Sequence, residues 1–114
     1  MPRDLRKTGF DILQAVKEIE EFTKGKTLTD YQTNRMLKLA VERDYEIIGE
    51  ALRRMEIDFP AQFSQISDGR RIIDFRNILA HGYDAISDEI VWSVTENNLK
   101  TLKKEIEQIF EELE

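Results

Sequence analysis

Apolar positions recur every three or four residues along almost the whole chain. Leu5, Gly9, Ile12, Val16 and Ile19 step at that spacing and predict a first helix over about residues 5–24. "KGKTLTD" (residues 24–30) interrupts the pattern, and Thr29 or Asp30 is placed to cap the next helix. Leu37, Val41, Tyr45, Ile48, Leu52 and Met55 then form one stripe on a second helix over about residues 31–55, widened by Met36, Ala40, Ile47 and Ala51. So wide an apolar face predicts burial on two sides, either centrally in a bundle or against a partner chain. Gly49 lies within it, either to let another helix approach closely or as a glycine merely tolerated there.

Pro60 prevents simple continuation of that helix, so "IDFPAQFSQISDG" (residues 57–69) reads as a connector with a helical turn near residues 61–65. Phe59, Phe63 and Ile66 within it are candidates for the core. A third helix is predicted over residues 70–81, with Ile72, Ile73 and Leu79 as apolar positions and Gly82 placed to end it. Ser87 is placed to cap a last helix whose first turn holds Asp88 and Glu89, favourable for the helix dipole. Val91, Val94, Leu99, Leu102, Ile106, Ile109 and Leu113 keep helical spacing to the end. The expected fold is an all-α, up-down bundle of four to five helices in one domain over residues 1–114.

Composition narrows the chemistry. The chain has 114 residues, 35% of them charged, with two prolines and five glycines, in keeping with long helices and a single core. Without cysteine there is no disulfide, zinc thiolate site, iron–sulfur cluster or thiol nucleophile, and a single histidine argues against a histidine-based metal site; no metal or cofactor is expected. No apolar run approaches a membrane span and the first seven residues lack a signal-peptide core, so the expected location is cytoplasmic. A net charge of −6 argues against nonspecific nucleic-acid binding unless a local basic patch, or a dimer that concentrates one, offsets it.

"DFRNILAHGYD" (residues 74–84) carries the only histidine. On an ideal helix Arg76 and His81 lie about 140° apart, so they flank a groove rather than meet at one point. A two-fold dimer packed along this helix would bring two such sets to one cleft, where two imidazoles divide general base and general acid work. Arginine suits phosphoryl chemistry because its planar fork stabilises charge building on phosphate oxygens. Asn77 is placed to orient substrate or His81, and Arg70 and Arg71, one turn earlier, supply positive charge for a nucleic-acid backbone. By spacing alone the plainer roles stand beside these: His81 as a cap or a carboxylate's partner, Tyr83 as a packed aromatic, Arg70 and Arg71 as solvated residues.

"RNILAHGY" (residues 76–83) resembles the R-x-x-x-x-H-x-Y signature of the HepT toxins in the HEPN ribonuclease superfamily. "RDYEIIGEALRRM" (residues 43–55), "RRIIDFRNILAHGY" (residues 70–83) and "DEIVWSVTENNLKTLKKEI" (residues 88–106) resemble the same pattern in the same order. The resemblance covers nearly the whole chain and is least specific over residues 24–33. It implies a HEPN-like bundle forming a homodimer, and metal-independent cutting of RNA, tRNA or mRNA. The ribose 2′-hydroxyl would attack the adjacent phosphorus to leave a 2′,3′-cyclic phosphate and a 5′-hydroxyl. His81 would be the acid/base, Arg76 the transition-state clamp and Asn77 an assisting residue. It also implies a partner, an MntA-type nucleotidyltransferase antitoxin that transfers AMP onto Tyr83 and so silences the toxin. The alternative is a non-catalytic helical subunit that binds a minimal nucleotidyltransferase and helps present its substrate. A third reading is a bundle that only dimerises.

Overall fold

The computed structural model describes residues 3–81 and 87–113, without the side chains of Arg3, Ala80, His81 and Leu113. Its described residues form seven helices and no strand. They are α1 (Arg3–Thr23), α2 (Leu28–Thr33), α3 (Arg35–Asp58), α4 (Pro60–Phe63), α5 (Gly69–His81), α6 (Asp88–Asn97) and α7 (Leu99–Leu113). The all-α bundle expected from the periodicity is present. The four long stretches are those predicted and α4 falls at the expected helical turn, but α2 is added and the last stretch is split.

Each difference has a local cause. After Gly25 turns the chain at φ 71°, Thr27 and Asp30 cap one another. The Asp30 amide donates to Thr27 Oγ1 at 3.2 Å, and the Thr27 amide donates to Asp30 Oδ2 at 2.9 Å. That reciprocal box starts α2 earlier than the apolar pattern suggests. Asn34 then breaks the helix in an extended conformation and caps α3 by accepting the Leu37 amide at 3.1 Å. Pro60 occupies the first turn of α4, where its missing N–H leaves nothing unpaired. Asn98 divides α6 from α7 and its side-chain amide donates to Asp68 Oδ2 at 2.9 Å, tying the break to the start of α5.

α3 is the centre of the bundle, packed against α1 on one side and α5 on the other, and this is why its apolar face is so wide. The whole predicted stripe from Leu37 to Met55 is buried, as are Leu5, Ile12, Val16 and Ile19 of α1 and Leu99, Leu102, Ile106 and Ile109 toward the C-terminus. Met36, on the predicted flank, is instead 80% exposed while its neighbour Leu37 is buried, so the buried face at the start of α3 is narrower than the apolar pattern suggests. α7 packs on α1, where Gly9 makes room for the Phe110 ring, and α6 packs on α2 and α7. Among the described residues no helix is long and apolar enough to cross a membrane.

Candidate active site

The helix that carries the arginine–histidine motif is fixed on three sides. Its apolar face, Ile72, Ile73 and Phe75, is buried. At its start the Ser67 amide donates to Glu105 Oε2 of α7 at 3.1 Å, and the Ile72 amide donates to the Asp68 carbonyl at 2.9 Å. In its middle the Phe75 ring stands edge-on to Tyr45 of α3, centroids 5.2 Å apart at 85°. The buried Tyr45 hydroxyl pairs with Thr95 Oγ1 of α6 at 2.6 Å. Burial raises the Tyr45 phenol's pKa and the Thr95 hydrogen bond opposes that, so the phenol stays neutral and acts as a strut.

Arg76 lies next to Phe75 and points toward α3. A Cβ placed on Gly49 would overlap Cβ and Cγ of Arg76, so the arginine stem rests on the α3 backbone where a side chain is missing. Of the two readings left open by the sequence, close approach is the one observed, and what approaches is the motif arginine itself. The half-buried guanidinium donates from Nη1 to Asn77 Oδ1 at 3.0 Å. Its Nε is buried and has no hydrogen-bond partner among the described residues. A buried, unpaired donor on a permanently charged group costs on the order of 1–3 kcal/mol, a cost relieved by any acceptor that reaches it.

The remaining candidates sit farther along α5 or beyond it. His81 is the last residue of α5, and the helix is continuous from Arg76 to it. The two Cα positions are therefore about 140° apart around the axis and about 7.5 Å apart along it. Tyr83 and Gly82 lie outside the described residues. Arg70 is engaged by Glu56, its Nη1 lying 3.0 Å from both carboxylate oxygens, and by Asp74 at 3.3 Å from Nη2. Arg71 is exposed and has no ion pair among the described residues. With Asp74, Phe75, Ile78 and Ile90 it lines an open cleft of about 600 Å³ between α5 and α6. Thus Arg76 and Asn77 are brought together, Arg70 and Arg71 lie a turn or more away, and Arg70 is already neutralised.

Gly49 and Tyr45, which seat the motif helix, were not singled out as part of a site by their residue types. The available signal was a glycine interrupting an otherwise apolar stripe, which points to a neighbour but does not say which one.

A second electrostatic feature lies on the other side of α3. Asp44 is only 4% exposed. Burial, then the hydrogen bond and negative charge of Glu18 on α1, push its carboxyl up to about 7, with Arg43 opposing. Over about pH 4–7 the folded chain therefore holds a proton that the unfolded chain releases, and stability falls as pH rises through that window. We expect Asp44→Asn to stabilise the protein by ~2 kcal/mol at pH 8, with the gain shrinking toward pH 4, as read by chemical denaturation at the two pH values.

With this geometry in hand, comparison with known proteins is specific. The model of the family described as "Ribonuclease HepT-like" matches residues 12–109. A protein of Methanocaldococcus jannaschii provisionally named as an RNase is 34% identical over 105 residues, covering 92% of this chain and 95% of that protein. A second from the same organism, named likewise, is 33% identical over 115 residues, covering 100% of this chain and 94% of its own. The probable ribonuclease HepT of Thermococcus cleftensis is 30% identical over 99 residues, covering 87% and 89%. No solved structure matches. The helical bundle, the arginine seated beside an asparagine on its fifth helix, and a family match spanning most of the length agree: this chain belongs to the HepT-like ribonuclease family.

Proposed function

We propose that the chain is the toxin of a toxin–antitoxin pair and a metal-independent endoribonuclease whose cleft forms between two copies related by a two-fold axis. The observation that carries this reading is Arg76. Its stem is locked on α3 and its Nη1 is oriented by Asn77, so the guanidinium is held in place before any substrate arrives. The angular separation of Arg76 and His81 on one helix is the reason for the second copy, because a two-fold dimer packed along α5 would bring two such sets to one cleft.

In the proposed reaction one His81 imidazole takes the proton from a ribose 2′-hydroxyl as its oxygen attacks the adjacent phosphorus. The P–O5′ bond breaks, and the second His81, protonated, gives its proton to the leaving 5′-oxygen. Arg76 stabilises the charge gathered on the non-bridging oxygens. The products are a 2′,3′-cyclic phosphate and a 5′-hydroxyl. Incubation of the purified protein with tRNA and mRNA in excess EDTA tests this directly. Cyclic phosphate and 5′-hydroxyl ends are expected; 5′-phosphate ends, or cleavage that EDTA abolishes, would overturn it.

The same reading makes Tyr83 the target of an MntA-type nucleotidyltransferase antitoxin. Two residues from His81, each AMP would add a phosphate charge and bulk that compete with an RNA backbone. Co-expression with such an enzyme is expected to add whole AMP units to the intact mass and to suppress RNA cleavage, with both effects absent in Tyr83→Phe. An unchanged mass on co-expression would remove the switch and leave the nuclease.

A further inference from the structure

An acidic chain that binds RNA needs a place where positive charge is not already spoken for, and Arg70, the first candidate, is held by Glu56 and Asp74. A better place lies elsewhere. A concavity of about 520 Å³ opens between the C-terminal end of α1, α6 and the start of α7, with Lys24, Lys26 and Lys100 around Trp92. All three lysines are exposed, and none has an ion-pair partner among the described residues. Of the two carboxylates in the lining, Glu20 is taken by Lys103 at 3.2 Å, which leaves three ammonium groups against Glu96 alone. Trp92 is half-buried, tilted against the buried Tyr31 at a ring-centroid distance of 5.7 Å, and forms part of the wall.

We propose that this concavity is a subsite for single-stranded RNA, in which a base packs on the Trp92 indole while Lys24, Lys26 and Lys100 contact flanking phosphates. The inference rests on the ribonuclease reading above and extends it to the substrate's path. Aromatic surface ringed by cations is what a flexible strand requires, because every base has a stacking face and every linkage a charge. The position fits as well. Lys38 and Gln32 hold the first turn of α6 to α3 and α2 through Asp88 and Glu89, at 3.1 and 3.3 Å. Thr95, in the concavity wall, is joined by Tyr45 to Phe75, the residue before Arg76. The subsite is thus built on the same strut that fixes the motif helix.

Trp92 is the only tryptophan, so its fluorescence reports on the subsite directly. Full-length His81→Ala protein, chosen so that RNA stays intact, is titrated with an oligouridylate of about ten nucleotides, and separately with polyglutamate of matched charge. Saturable quenching by the RNA is expected, with polyglutamate at least tenfold weaker. Replacing Lys24, Lys26 and Lys100 together by Gln is expected to weaken RNA binding at least tenfold. The log–log salt slope should fall by about 2, since each lost phosphate contact on a single strand removes about 0.7. The three side chains are exposed, so this variant keeps its fold, checked by circular dichroism.

RNA binding that is unchanged in the Gln variant, or RNA that binds without quenching Trp92, would overturn the subsite. Equal binding of polyglutamate would do the same, marking a surface for an acidic polypeptide instead. Cleavage by the His81-containing protein separates this from the larger reading. Cutting that depends on Arg76 and His81 but not on the lysines sinks the subsite alone, whereas specific quenching with no cutting sinks the nuclease alone.

Discussion

Arg76→Ala is expected to lower the rate of RNA cleavage about 10²–10³-fold, the loss caused by removal of one preorganised donor to a developing oxyanion. His81→Ala is expected to lower it by a similar or larger factor, up to about 10⁴-fold, since it removes proton transfer at both ends of the reaction. Both proteins should remain folded, because the packing of α5 is carried by Ile72, Ile73 and Phe75 rather than by either residue. Arg76→Lys is informative beside them. A lysine keeps the charge and most of the stem on Gly49 but loses the planar fork, including the Nε donor, so it should recover little of the lost activity. Single-turnover cleavage rates, with circular dichroism as the check on folding, measure all three. Wild-type rates in a folded Arg76→Ala protein would remove the clamp.

Gly49→Ala carries the second large effect although residue 49 is nowhere near the reacting atoms in sequence. The added methyl meets Cβ and Cγ of Arg76, both close to the α5 backbone and unable to swing aside as a side-chain tip would. Either α5 moves away from α3 or the arginine leaves its seat. Overpacking of this kind costs about 1–3 kcal/mol, measurable as a lower denaturation midpoint. A shift of about an ångström in a catalytic group costs up to about 10²-fold in rate, so cleavage should fall well beyond what partial unfolding explains. The two effects separate in a double-mutant cycle. In an Arg76→Gly background, which removes both Cβ and Cγ from the path of the new methyl, Gly49→Ala should reduce cleavage little further. Full additivity of the rate losses would mean that Gly49 matters to folding alone.

Most of the fold was legible because one force wrote it. The stripe from Leu37 to Met55 faces two neighbours and is buried along its length, as a period of three and four with a second flank requires. The breaks were harder because apolar periodicity does not see them. Thr27 and Asp30 start α2 through two hydrogen bonds to backbone amides, and Asn98 divides the last stretch without disturbing the spacing from Val94 to Leu102. For the site, residue types pointed to Arg76 and Asn77, and these are in contact. The seat on Gly49 was only half legible: a glycine announces a close approach, but its partner is set by how α3 and α5 run past one another. The engagement of Arg70 by Glu56 was not legible, since those residues are distant in sequence and adjacent only once the connector has turned the chain. Tyr83 lies outside the described residues, so its part in the account rests on the motif.

A heterodimer tests most directly whether two copies of His81 serve one scissile linkage. One wild-type chain and one His81→Ala chain, carrying different tags and purified as the mixed pair, should cleave RNA at least a hundredfold more slowly than the wild-type dimer and close to the doubly substituted one, because a single imidazole is left to act as both acid and base. Half the wild-type rate would mean that each chain works alone, and would contradict the shared cleft.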